Sequence, residues 1–268
     1  QNPQTVTITV QPLNAVDLLA LVSERLDVGE LPPDVGELIL RKAEGHPFFS
    51  QELALALRDS GMIVCESGRC VVGPGIDLDA IVFPDTVEGV VTGRIDRLAP
   101  AHQMTLKVAS VVGRIFAHRT LRDIYPVAPD RENLVMYLEH LDRLNLTPLY
   151  GRDPLLQYGF QHAITHEVAY GMLLFSQRRE LHRCIAEWYE QTNADDLTAY
   201  YPILAYHWRQ ALGERPDSQL ASHAIDYLEK AGEQAIRSYA NLESINYFQD
   251  LLRIADANPE LDVSDFRR

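Results

Sequence analysis

The stretch ENLVMYLEHLDRLNLTPLYGRDPLLQYGF, residues 132–160, sets the fold of the middle of the chain. Leu134, Leu138, Leu141 and Leu144 recur every three or four residues, so 132–144 reads as a helix with one apolar face. Residues 146–150 and 155–160 are short apolar runs on either side of Gly151-Arg152-Asp153-Pro154, which predicts a β-hairpin. Upstream, the helical period runs through Val87, Val90, Val91, Ile95 and Leu98, and again through Met104, Leu106, Val108, Ala109 and Val112. Gly113-Arg114-Ile115-Phe116 breaks it, and a short helix follows around Leu121. Helices followed by a hairpin in this order are those of a winged helix.

Further towards the C-terminus the pattern stays helical, over 162–175, 178–191, 200–212, 221–238 and 241–255. The small residues Ala231, Gly232, Ala235 and Ala240 suit helix crossings, which predicts a tetratricopeptide-like repeat. Towards the N-terminus, Thr5-Val6-Thr7-Ile8-Thr9-Val10 alternates like a single strand, which needs a neighbour to be stable. Asn14 is an N-cap for a helix through Leu18, Leu19, Val22 and Leu26. A second helix carries Val35, Leu38, Ile39 and Ala43, and Gly45 and Pro47 stop it. A third runs over 48–59, and a hairpin follows in which Cys65 and Cys70 flank the turn Glu66-Ser67-Gly68-Arg69. The expected class is therefore mainly α: an N-terminal helical part, which the resemblance described below makes a helical lid, a winged-helix domain and a tetratricopeptide-like helical repeat, with two short β-hairpins.

Composition removes several functions. The net charge of −14 opposes nonspecific contact with nucleic-acid phosphates. Residues 84–160 hold nine Arg plus Lys against nine Asp plus Glu, where a DNA-reading module is clearly basic. No apolar run reaches the ~20 residues of a membrane span. The three cysteines are an odd, sparse set rather than a disulfide framework, which points to a reducing, cytoplasmic setting. The three lysines, Lys42, Lys107 and Lys230, are followed by Ala43, Val108 and Ala231, so none is the Lys-Ser or Lys-Thr of a P-loop.

Three groups of residues carry a resemblance. They are Lys42-Ala43-Glu44-Gly45-His46-Pro47-Phe48-Phe49, Pro84-Asp85-Thr86-Val87-Glu88-Gly89-Val90 on to Arg94-Ile95-Asp96-Arg97-Leu98, and Phe160-Gln161-His162-Ala163 through Ala169-Tyr170 to His182. With these motifs the chain resembles the signal-transduction ATPases with numerous domains, and among them the ATPase region that follows class III adenylate and guanylate cyclase domains in bacteria. Large LuxR-type regulators and the soluble adenylyl cyclase carry similar modules. The resemblance spans about residues 1–190.

It implies a division into a last strand of a truncated P-loop domain (1–10), a helical lid with a hairpin (11–83), a winged helix (84–176) and a helical, tetratricopeptide-like region (177–268). It implies that ATP or ADP, with Mg, is held only in the full-length protein, and that this part has no catalytic residues. The implied partners are the upstream P-loop domain, a cyclase or other output domain, and a protein on the helical repeat. Neither membrane nor nucleic acid is expected.

The candidate nucleotide-binding residues are Gly45, His46, Pro47 and His162. Gly45-His46-Pro47 matches the family's Gly-x-Pro lid motif, which implies an apolar wall against adenine; the family more often has Asn where His46 stands. Gly admits close backbone approach, and the Pro ring is rigid and lacks a donor. The same residues also read as a plain helix stop. His162 sits where the second hairpin enters a helix, a place where the resemblance implies contact with the β-phosphate of ADP; the alternative is a simple junction residue.

Weaker candidates complete the reading. His162 and His166 share a helix face, but the order is not the metalloprotease His-Glu-x-x-His and no third ligand is evident, so no metal is expected. Arg94 and Arg97 could reach a phosphate, but a solvated, internally paired face is the stronger reading. Arg178-Arg179 would pair with Glu180 or a neighbouring acid.

Overall fold

The computed structural model describes residues 11–78, 84–152, 154–213 and 217–259. The strand expected at 5–10 lies outside them. The chain divides into two compact units, Gln1–Ala99 and Pro100–Arg268.

The first unit holds α1 (Ala15–Leu26), α2 (Pro33–Ala43), α3 (Pro47–Asp59), a hairpin of β1 (Ile63–Glu66) and β2 (Arg69–Val72), and α4 (Val87–Asp96). The Asn14 side chain caps α1 by accepting from the Asp17 N–H at 2.9 Å. Thr86 caps α4 in the same way through the Gly89 N–H at 3.1 Å. Buried side chains run almost all the way round α3, with Leu53, Ala54, Leu55, Ala56 and Leu57 in succession. Such a helix needs neighbours on every side, and α1, α2, α4 and β1 supply them. Leu18, Val22, Val35, Ile39 and Ile63 complete that core.

α4 adds a charged contact to this apolar centre. Arg94 is buried, with Nη1 2.6 Å from Glu52 Oε2 and Nε 2.9 Å from Asp59 Oδ2. Arg94 is thus neither on a solvated face nor available to a phosphate, because its guanidinium is held between two carboxylates of α3.

The second unit opens with α5 (Pro100–Val112), β3 (Ile115–Ala117), α6 (His118–Ile124), α7 (Leu134–Arg143), β4 (Leu149–Gly151) and β5 (Gln157–Gly159). The strands form one antiparallel sheet in the order β3-β5-β4, with Phe116 and Leu149 both opposite Tyr158. This is the winged-helix order. The pattern reading made Ile115-Phe116 part of a break, whereas the structure makes it a third strand. Three residues carry no period of their own, and only the edge of β5 turns them into a strand.

α8 (Ala163–Gly171), α9 (Phe175–Thr192), α10 (Tyr201–Ala211), α11 (Ser218–Arg237) and α12 (Asn241–Ala257) follow. From α9 on, each helix packs on the next, as short connections between neighbouring helices favour. Leu204, Trp208, Tyr227, Leu228 and Leu251 form their core, and Phe248 lies against Gly232 at the α11–α12 crossing. Trp188 of α9 donates to Asp123 of α6 at 3.2 Å, which joins this stack to the winged-helix elements within the unit. Among the described residues no helix is long and apolar enough to cross a membrane.

Candidate functional site

Glu44 and Gly45 both take positive φ, at 48° and 82°, so the chain reverses sharply between α2 and α3. At Gly45 a Cβ would stand 2.7 Å from the Leu13 carbonyl oxygen and from Pro12 Cβ. The Leu13 N–H donates to the Gly45 carbonyl at 2.9 Å, so the entry to α1 is stitched to this turn. Only glycine satisfies both the backbone angle and the close approach.

His46 is the N-cap of α3, its Nδ1 accepting from the Phe49 N–H at 3.2 Å. Pro47 occupies the first helical position, where its missing N–H costs nothing. Both side chains are exposed while Phe49 is buried. The turn therefore presents a fixed ring, Pro47, beside an imidazole whose Nδ1 is engaged with its own helix. A cleft of about 470 Å³ lies alongside, lined by Arg41, Lys42, Ala43, Glu44, Phe49 and Asp85. Lys42 Nζ bonds Asp85 Oδ1 at 2.6 Å across it.

In the second unit, β5 delivers His162 to the N-cap position of α8, in extended backbone and without a side-chain cap bond. The Phe160 N–H bonds the Arg114 carbonyl at 2.8 Å and the Gln161 N–H bonds the Leu146 carbonyl at 3.2 Å, so the sheet fixes the approach. One turn on, His166 Nε2 is 2.8 Å from the Ser110 carbonyl and its ring stands edge-on to Phe160. That geometry spends His166 on packing α8 against α5 rather than on a shared ligand with His162. Among the described residues no group of three or more His, Cys, Asp or Glu is arranged to hold a metal ion. Arg178 donates to the Leu173 and Gly171 carbonyls and lies over the Tyr170 ring at 4.6 Å. Glu180 pairs with Arg183 at 2.6 Å.

Gly45, His46 and Pro47 thus form one station and His162 another, each in its own unit. A further cluster escaped the sequence reading. His182 of α9 and His207 of α10 are buried, with their Nδ1 atoms 2.8 Å apart, and Tyr170 Oη is 3.1 Å from His182 Nε2. Burial lowers His182 to about 4, helped by the nearby Arg178 charge. Burial lowers His207 to about 3, with His182 adding repulsion. Both imidazoles are neutral at neutral pH and share one proton-donating N–H between facing nitrogens. The signal in the sequence was a histidine on the apolar stripe of each helix, beside Leu181 and Ile185 and beside Leu204 and Trp208.

A family model described as a domain of unknown function, DUF8739, matches residues 17–71. The matched stretch runs from α1 to β2 and contains Gly45, His46, Pro47 and the two hairpin cysteines. No curated protein matches the chain.

Proposed function

We propose that the chain is the regulatory part of a multidomain signalling ATPase, supplying the lid and winged helix of an adenine-nucleotide switch in the cytoplasm. In this reading Pro47 meets the adenine, His162 meets the β-phosphate of ADP, and a P-loop domain elsewhere in the full-length protein holds the triphosphate with Mg. The helical repeat takes up a protein signal, and a cyclase or other output domain delivers it. The motif resemblance is the source of this reading. The observation that carries it furthest is the turn at Gly45-His46-Pro47, where a rigid proline ring stands exposed two residues after a backbone position only glycine can adopt.

Isothermal titration tests it. ADP gives weak heat or none with this chain alone and binds tightly once a P-loop domain is joined to it. In the joined protein Pro47→Ala and His162→Ala each weaken ADP by about tenfold, the scale of one lost contact of about 1.4 kcal/mol. Unchanged ADP affinity in both variants overturns the switch assignment.

One observation favours a second reading, a scaffold that binds a protein without nucleotide. Ile236, Tyr239, Leu242 and Ile245 are exposed around the α11–α12 turn, Tyr239 by 89 %. The third reading, a DNA-binding winged helix, has less support. The outward residues of α7 and the turn before it include Glu132, Val135, Met136 and Glu139 against Arg143, a poor match to phosphate.

A further inference from the structure

We infer that Cys65 and Cys70 are a dithiol modification site, closed to a disulfide by a hydroperoxide and reopened by small thiols. The two residues stand directly opposite each other in the β1–β2 register, with Sγ atoms 3.2 Å apart and both thiols free. The register is not loose. The Gly73 N–H donates to the Met62 carbonyl at 2.8 Å, which marks Met62 and Gly73 as a hydrogen-bonded pair. Antiparallel pairs alternate, so Cys65 and Cys70 form a non-hydrogen-bonded pair, the kind whose side chains approach most closely.

The turn enforces the same alignment. Ser67 and Gly68 have φ of 50° and 77°, the two positive values of a two-residue hairpin turn that follows the strand twist. The tip is also tied down, because the Gly29 N–H donates to the Gly68 carbonyl at 2.9 Å. Ile63, two residues before Cys65, is sunk in the core. The thiols therefore face each other because the hairpin and its anchorage put them there. Both remain partly exposed, within reach of a small oxidant.

The chemistry balances with a hydroperoxide as the oxidant. The Cys65 thiolate attacks one peroxide oxygen and the O–O bond breaks. The leaving oxygen takes a proton and departs as water or alcohol, which leaves Cys65 as a sulfenic acid. The Cys70 sulfur then attacks the Cys65 sulfur, the S–O bond breaks, and hydroxide leaves with the Cys70 proton as water. Two electrons pass from the two sulfurs to the peroxide. Burial, and the hydrogen bond the thiol shares with Cys65, push Cys70 up to about 12. Either sulfur can be the first nucleophile, because the register and the 3.2 Å separation hold the other ready for the second step. Closing the bond moves the sulfurs from 3.2 Å to about 2.0 Å, within the reach of side-chain rotation.

Peroxide treatment at about pH 8, where thiolate is available, followed by alkylation and tryptic mapping gives a clear answer. Arg69 lies between the two cysteines, so trypsin separates them unless a disulfide joins the peptides. The expected result is a linked pair holding Cys65 and Cys70, the loss of two of the three alkylatable thiols, and their recovery with dithiothreitol. Cys184, alone on α9, serves as the internal control. Under the same treatment Cys65→Ser leaves Cys70 open to alkylation, and unchanged circular dichroism shows the variant folded; Cys70→Ser leaves Cys65 without a link. The inference fails if both hairpin thiols still alkylate after Cys184 has been oxidised, or if Cys70 is lost equally fast in Cys65→Ser. It also fails if the main product links Cys184 between molecules.

Discussion

Arg94 in the first unit meets two carboxylates, while His182 in the second meets a phenol and another imidazole, though both side chains are closed off from water. The difference lies in what each cluster asks of its partners. Arginine stays charged at any ordinary pH, so its burial is tolerable only because Glu52 and Asp59 stand within 2.9 Å. Histidine can shed its charge, and burial makes it do so. One cluster fails when a partner is removed. The other fails when a proton is added.

The largest effect comes from breaking the first. Arg94→Ala leaves the buried Glu52 carboxylate without the guanidinium that hydrogen-bonds it, a loss of about 3–5 kcal/mol. Urea unfolding followed by circular dichroism measures it, and faster hydrogen exchange at the α3 amides locates it. Arg94→Lys recovers only part, since one ammonium cannot reproduce a fork that reaches both Glu52 and Asp59. A loss under about 1 kcal/mol in Arg94→Ala would mean the apolar contacts of α3 hold the unit by themselves.

The second cluster is broken by acid. The folded values of His182 and His207, about 4 and about 3, lie below the ordinary value of 6.5. The unfolded chain therefore binds more protons through this range, and stability falls as pH falls. The contribution is fully present above about pH 6.5 and is lost progressively towards pH 4 and below. His182 alone accounts for about 3 kcal/mol over that window, from its shift at 1.36 kcal/mol per pH unit. Both tryptophans, Trp188 and Trp208, lie in the second unit, so their fluorescence follows its unfolding. A double replacement, His182→Leu with His207→Leu, makes the acid limb shallower; at neutral pH it costs about 1 kcal/mol, because the two imidazoles go together but Tyr170 Oη loses its bond to His182 Nε2. An acid limb unchanged by the double replacement places the sensitivity elsewhere.

The sequence spoke clearly where one element decides its own structure. The apolar period of Leu134, Leu138 and Leu141 gave α7, and Asn14 gave the start of α1, since both signals are local. Turn chemistry made the first hairpin legible, with Ser67 and Gly68 between the cysteines. β3 stayed hidden because Ile115-Phe116-Ala117 becomes a strand only by pairing with β5. Arg94 read as a surface residue for the same reason: the acids that draw it inwards lie 35 and 42 residues away on α3. The two histidines likewise stand 25 residues apart in the chain, on different helices. At the candidate site the pattern Gly45-His46-Pro47 announced a helix stop, but not that the His46 ring would itself cap the helix that follows.

That cap supplies the smallest test, and the one that sets an exposed polar contact against the two buried clusters. His46 Nδ1 accepts a single hydrogen bond, from the Phe49 N–H, at the solvent-facing start of α3. Removing it in His46→Ala costs about 1 kcal/mol, the usual worth of an N-cap and well short of the Arg94 loss. Asparagine is among the best N-caps, so His46→Asn should match the wild-type melting temperature. Amide exchange at Phe49 and Ser50 reads the cap directly and should quicken in the alanine variant alone. If the asparagine variant melts as low as the alanine one, the imbalance points to the ring's packing beside Pro47 rather than to its hydrogen bond. In that case His46 is held at the turn by shape, and the Gly45-His46-Pro47 turn owes its polar middle residue to something other than helix capping.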